Sequence, residues 1–214
     1  MQKFTVLATA EDLAEDAAAD IAEALRDGAK TLVLTGGTTP QRCYELLSEL
    51  DVEWGRVAVL FGDERCVPPT DPDSNYRMVK QLLLDKVSPA TVYRMPAELG
   101  PDEGADEYAQ VIELVAPLDL VILGVGEDGH IASLFPGHPA LKADGLTIGI
   151  HDSPKPPPER VTLTLQAIRD AGRVIILATG AGKADAVARA KRGEVPAGMI
   201  DGAQWLIDRA AAGE

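Results

Sequence analysis

Short, uninterrupted apolar runs recur along this chain, separated by longer stretches whose apolar residues return every three or four positions. VAVLF at 57–61 and VIILA at 174–178 have the composition of strands buried on both faces of a parallel sheet. Strands are expected at 3–8, 31–35, 57–61, 118–123, 146–150, 161–165, 174–178 and 205–207. Helices are expected at 11–26, 41–49, 75–85, 103–115 and 183–190, with Ser74 and Asp102 placed to cap the third and fourth. Regular alternation of the two kinds predicts an α/β fold, a doubly wound, mostly parallel sheet flanked by helices. At 214 residues the chain suits one core, so residues 1–214 are expected to form a single domain.

Charge narrows the partners. The formal net charge of −14, with no basic run to interrupt it, argues against nucleic acid and anionic membranes. No apolar run approaches the roughly 18 residues of a membrane span, and the opening MQKFTVLATAEDLAEDAAAD lacks the order of a signal peptide. A cytoplasmic location is the expectation. Cys43 and Cys66 have no metal-ligand spacing and the chain has only three histidines, so both read as buried thiols and no metal is expected. The Pro-rich DSPKPPPE at 152–159 reads as a stiff surface loop. If the ligand is an anion, its cationic contacts must be local.

A doubly wound sheet binds ligands where strands end and helices begin, and several such turns are unusual here. GVGEDG at 124–129 has the G-x-G-x-x-G spacing of a dinucleotide turn. That fingerprint needs a long helix opened by its third glycine, which Pro136 and Pro139 preclude, while Glu127 and Asp128 put carboxylates where phosphates would approach. The glycines instead suit close approach to something small by backbone and by His130, whose imidazole is fit for proton transfer near neutrality. Asp128 either orients that ring or finishes the turn. TGGTTP at 35–40 supplies Gly36, Gly37, Thr38 and Thr39, whose amides and hydroxyls suit an oxygen-rich anion or simply cap the next helix. FGDERCVPPTDPDSNY at 61–76 carries Asp63, Glu64, Arg65 and Asn75, either a solvated turn or a rigid binding loop. ATGAGKADA at 178–186 departs from a P-loop, having Leu177 and Ala184 where that motif needs Gly and Ser/Thr. Lys183 there is still placed to bind one phosphate, and Arg160 is a further cation or a surface charge.

Taken in order, TGGTTP, GDERCVPP with DSNY, GVGEDGHIASLFPG, PPERVTLT and GAGKADA resemble the 6-phosphogluconolactonase family, which shares a Rossmann-like fold with glucosamine-6-phosphate deaminases. In the deaminases the histidine is followed by a pattern like I-A-F-N-E-P-G; this chain reads IASLFPG, with Phe135 at the glutamate's place. The resemblance implies hydrolysis of 6-phospho-D-glucono-1,5-lactone, with His130 and Asp128 catalytic and Arg160 and Lys183 holding the phosphate. It assigns substrate contacts to Gly36, Gly37, Thr38, Thr39, Asp63, Arg65 and Asn75, and leaves open whether Arg65 binds substrate or stabilises an oxyanion. It requires no cofactor and no metal. The sugar-phosphate lactone is the implied partner, and oligomeric state is not legible.

Overall fold

The computed structural model describes residues 2–214. In chain order the elements are β1 (Lys3–Leu7), α1 (Ala10–Arg26), β2 (Thr31–Leu34), α2 (Gln41–Leu47), β3 (Ala58–Phe61), β4 (Asp63–Arg65), α3 (Asn75–Val79), β5 (Thr91–Val92), α4 (Pro101–Val115), β6 (Leu120–Gly124), β7 (Thr147–Ile150), β8 (Arg160–Leu163), α5 (Leu165–Arg169), β9 (Arg173–Ala178), α6 (Ala184–Lys191), β10 (Gln204–Asp208) and α7 (Arg209–Ala212). Seven strands form one sheet in the order β1-β10-β9-β6-β2-β3-β5, every neighbouring pair parallel. The uninterrupted apolar runs fill its middle: β2 is buried at every position, and β6 and β9 are buried at all but one end residue. That is the expected doubly wound, mostly parallel sheet flanked by helices.

Two of the expected strands lie elsewhere. Segments 147–150 and 160–163 pair antiparallel with each other, and β8 pairs antiparallel with β4, making a separate sheet in the order β4-β8-β7. This small sheet packs on α4 and puts Arg160 directly opposite Arg65. The helix expected at 75–85 is α-helical only to Val79 and continues as a wider π turn over Lys80–Leu84. Ser74 does cap α3, its hydroxyl accepting from the Arg77 amide at 3.1 Å. Asp102 does not cap α4: Gly100 occupies that position at φ +96°, Pro101 opens the helix, and the Asp102 carboxylate pairs with His151 at 2.9 Å.

Strand order locates the crevice. From β2 the chain steps outward to β3 and β5, whereas from β6, on the other side of β2, it steps the opposite way to β9 and β10. The loops leaving β2 and β6 therefore diverge and open a gap at the carboxyl ends of these two strands. Buried tyrosines finish the strands beside it. The Tyr44 hydroxyl of α2 accepts from the Thr35 amide at 3.0 Å and donates to its carbonyl at 2.9 Å. Tyr108 of α4 serves the Phe61 amide and carbonyl in the same way, at 2.9 and 3.2 Å. Each phenol satisfies backbone groups that lose their ladder partner where the strand stops.

Candidate active site

The gap is a cavity of about 330 Å³, and loops scattered over the sequence meet in it. Gly36, Gly37, Thr38, Thr39, Asp63, Arg65, Asn75, His130, Arg160 and Lys183 all line it. Asp128 stands behind His130 and does not line the cavity.

Close packing dictates the glycines. A Cβ on Gly36 would overlap the Asn75 carboxamide, and one on Gly126 would overlap both the His130 ring and the Asp128 carboxylate. Gly129, at φ +89°, closes the turn, its amide donating to the Gly126 carbonyl at 2.9 Å. With the backbone bare at Gly126, the imidazole folds over it and Nδ1 meets Asp128 Oδ1 at 2.5 Å. The Phe135 ring packs against it, tilted by 40° with centroids 4.7 Å apart. Burial opposes the Asp128 charge, but the His130 hydrogen bond and the positive fields of His130 and Lys155 outweigh it and hold the carboxyl well below its ordinary range. An ionised carboxylate only accepts, so the Nδ1 that faces it carries a proton, and Nε2 is the ring nitrogen that Asp128 leaves unengaged. Asp128 makes both of the contacts left open for it: it meets the ring at Nδ1, and it accepts from the His130 backbone amide at 3.4 Å.

Asp63 and Glu64 are not a solvated turn, since both are buried. Glu64 accepts four hydrogen bonds, from the amides of Arg65, Asn75 and Tyr76 and from the Ser74 hydroxyl. Burial raises its pKa against these contacts. It thereby fixes the start of α3 and with it Asn75, whose Nδ2 donates to the Asp63 carbonyl at 2.9 Å and carboxylate at 3.2 Å. Asp63 also accepts from the Ser133 hydroxyl at 2.7 Å. Arg65 is pinned by Nη1, which donates to the Asp73 carbonyl at 2.5 Å, while its buried Nε has no partner among the described residues.

Four cations surround the cavity: Arg65, Lys155, Arg160 and Lys183. Lys183 ends the 3₁₀ turn Ala181–Lys183 and stands at the start of α6. Burial lowers its pKa, opposed by Glu127 and Asp128 and assisted by Lys155. The loop beneath it is held by Asp208, which accepts from the Gly180 amide at 3.0 Å and caps α7 through the Ala211 amide at 2.7 Å. Thr39 and Thr179 join the first and last glycine loops at 3.1 Å. Arg160 lines the cavity, but its Nε and Nη2 are committed to backbone carbonyls of the loop before it.

Lys155 is the cavity-lining cation that sequence reasoning missed. Segment 152–159 reads as a surface loop, yet Lys155 and Pro156 line the cavity and Lys155 Nζ lies 3.7 Å from Asp128 Oδ1. A lone cation among prolines was the only local sign. Cys43 is buried as expected and Cys66 only half so, and burial pushes both thiols up to about 12, far from a nucleophilic thiolate. Among the described residues no group of three or more His, Cys, Asp or Glu side chains is arranged to hold a metal ion, and no helix is long and apolar enough to cross a membrane.

The sequence and fold have close counterparts. A 6-phosphogluconolactonase of Streptomyces coelicolor is 39% identical over an alignment of 237 positions, spanning 95% of this chain and 91% of its own. One of Mycobacterium tuberculosis is 40% identical over 209, spanning 86% and 85%. The solved 6-phosphogluconolactonase of Thermotoga maritima superposes with a TM-score of 0.88 at 26% identity, covering 98% of this chain and all of that one. A monomeric glucosamine-6-phosphate deaminase superposes nearly as well, 0.85 at 22% identity over 99% of each chain. That likeness is one of fold alone. The family model described as glucosamine-6-phosphate isomerases/6-phosphogluconolactonase matches residues 6–207, and with that match across nearly its whole length the chain belongs to this family.

Proposed function

We propose that this protein hydrolyses 6-phospho-D-glucono-1,5-lactone to 6-phospho-D-gluconate, a step of the oxidative pentose phosphate pathway, with His130 as the proton-transferring group. The observation that carries the mechanism is the Asp128–His130 pair, with Nδ1 engaged at 2.5 Å and Nε2 left free, the His130 side of the pair lining one cavity with four cations. Water is the nucleophile. Its oxygen bonds to the lactone C1 while its proton passes to Nε2; the C1–ring oxygen bond then breaks, and the imidazolium returns that proton to the departing ring oxygen. Asp128 stabilises the transient positive charge on the ring and keeps Nε2 aimed inward.

Lys183, with the amides and hydroxyls of Gly36, Gly37, Thr38 and Thr39, is assigned to the phosphate and sugar oxygens. Arg65, Asp63 and Asn75 are assigned to the remaining substrate contacts. A cluster of cations in a protein of net charge −14 is what a small dianionic substrate requires, because the local field at the cleft is opposite to that of the surface. Phe135, buried against the His130 ring, favours lactonase over deaminase: a phenyl group neither gives nor takes the proton that opening an amino-sugar ring needs.

The decisive assay follows loss of freshly prepared lactone at controlled pH, with spontaneous opening subtracted, alongside ammonia release from glucosamine 6-phosphate. Enzyme-dependent loss of lactone without ammonia is expected. Ammonia release with no lactone hydrolysis would reverse the assignment.

A further inference from the structure

Arg160, the first residue of β8, is buried, and a buried guanidinium among other cations is costly unless its donors are satisfied. No carboxylate bonds to it. Its Nε donates to the Pro157 carbonyl at 3.1 Å, and Nη2 donates to the carbonyls of Lys155 at 2.9 Å and Pro156 at 3.1 Å. Nη1 reaches the Ser133 hydroxyl at 3.5 Å, and the guanidinium lies 5.8 Å from the Phe135 ring centroid. Of the five N–H groups of an arginine, four are thus turned toward protein.

The three carbonyls are consecutive, and they belong to the loop that carries Lys155. Residues 156–158 are prolines without amide donors, so this stretch cannot be held by an ordinary ladder. Ser153 holds it from the other side, its hydroxyl donating to the Lys155 carbonyl at 2.8 Å and accepting from the Lys155 amide at 3.2 Å. Between these two tethers the Lys155 backbone is fixed, and its ammonium stands in the cavity beside Asp128.

Resting on the hydrolase reading above, we propose that Lys155 is a substrate-contacting cation and that Arg160 is a positioning residue, acting on the ligand through the Lys155–Pro157 backbone and not by touching it. A guanidinium that spends its donors on three successive carbonyls sets where the neighbouring ammonium can go. Its own charge stays largely turned away from the ligand.

The test is a double-mutant cycle in the full chain, read by calorimetric binding of 6-phosphogluconate, with kcat and KM for the lactone measured in parallel. Lys155→Ala should weaken binding by about tenfold to a hundredfold, the range for losing one charge-assisted contact. Arg160→Met should weaken it by a similar factor, and the double variant should bind no more weakly than Lys155→Ala alone. Factors that multiply in the double variant would place Arg160 on the ligand and overturn the proposal, as would wild-type binding in Arg160→Met with only its thermal stability lowered. If Arg160→Met does not fold, Arg160→Lys carries the same cycle: its loss must vanish in the Lys155→Ala background, and persistence there refutes the idea. Because binding is read without turnover, a protein that shows this coupling yet leaves the lactone intact would sink the hydrolase reading and not this one.

Discussion

A Cβ on Gly126 would enter the space of the His130 ring and the Asp128 carboxylate, so the geometry of the Asp128–His130 pair depends on one missing methyl group. Gly126→Ala is expected to lower kcat on the order of 10²-fold, the cost of misplacing a catalytic group by about 1 Å, with little change in KM. An unchanged kcat would show that the turn absorbs the methyl. His130→Ala should lose roughly 10²–10⁴-fold in kcat, the usual share of general acid–base help, while circular dichroism and melting stay near native; near-native turnover would remove His130 from the mechanism. For Lys183 the sign of the pH effect follows from burial, which lowers its pKa. A lysine attracts phosphate only while charged, and burial makes Lys183 shed its charge at a lower pH than an ordinary lysine. Affinity for 6-phosphogluconate should therefore begin to fall with rising pH below the ordinary lysine value of about 10.4. Lys183→Arg, which stays charged, should flatten that decline in a calorimetric titration, and an identical decline in both proteins would assign it to another group.

At the scale of the element, the cavity depends on how strands end. Tyr44→Phe removes the hydroxyl that satisfies both backbone groups of Thr35 and leaves a buried amide and carbonyl unpaired, at about 1–3 kcal/mol. Urea unfolding should show that loss as a lower midpoint at constant slope, and KM should rise because Thr35 opens the glycine loop; a midpoint equal to wild type would mean that water replaces the phenol. The strands of the large sheet were largely legible because burial on both faces leaves an apolar run that needs no partner to be recognised, as in β3 and β9. β4 was not, since Asp63-Glu64-Arg65 has no strand-like composition and is extended only because β8 pairs with it from about a hundred residues away. The same blindness to distant pairing made 147–150 and 160–163 legible as strands but not as a second sheet. The site followed this division. His130, Asp128 and the glycine loops carry local spacing that chemistry can read. Lys155 carries none, and its place in the cavity depends on Arg160 and Ser153 holding the loop.

At the scale of the whole molecule, 34 acidic residues against 20 basic ones leave a surface that repels itself, and exposed pairs such as Arg42–Glu11 and Arg192–Glu194 offset little of that. Salt should therefore stabilise the fold. Raising ionic strength from about 0.01 to 0.3 M cuts the screening length several-fold, and a gain of about 1 kcal/mol would raise the melting temperature by roughly 2–4 °C for a chain of this size. A fall in melting temperature over the same range would mean that attractive pairs outweigh the repulsion. The pairing of β1 with β10, Lys3 opposite Gln204 through Leu7 opposite Asp208, bears on biosynthesis. On the ribosome, β1 emerges about two hundred residues before the strand it pairs with, so a nascent chain carries β1 without its sheet neighbour until β10 follows.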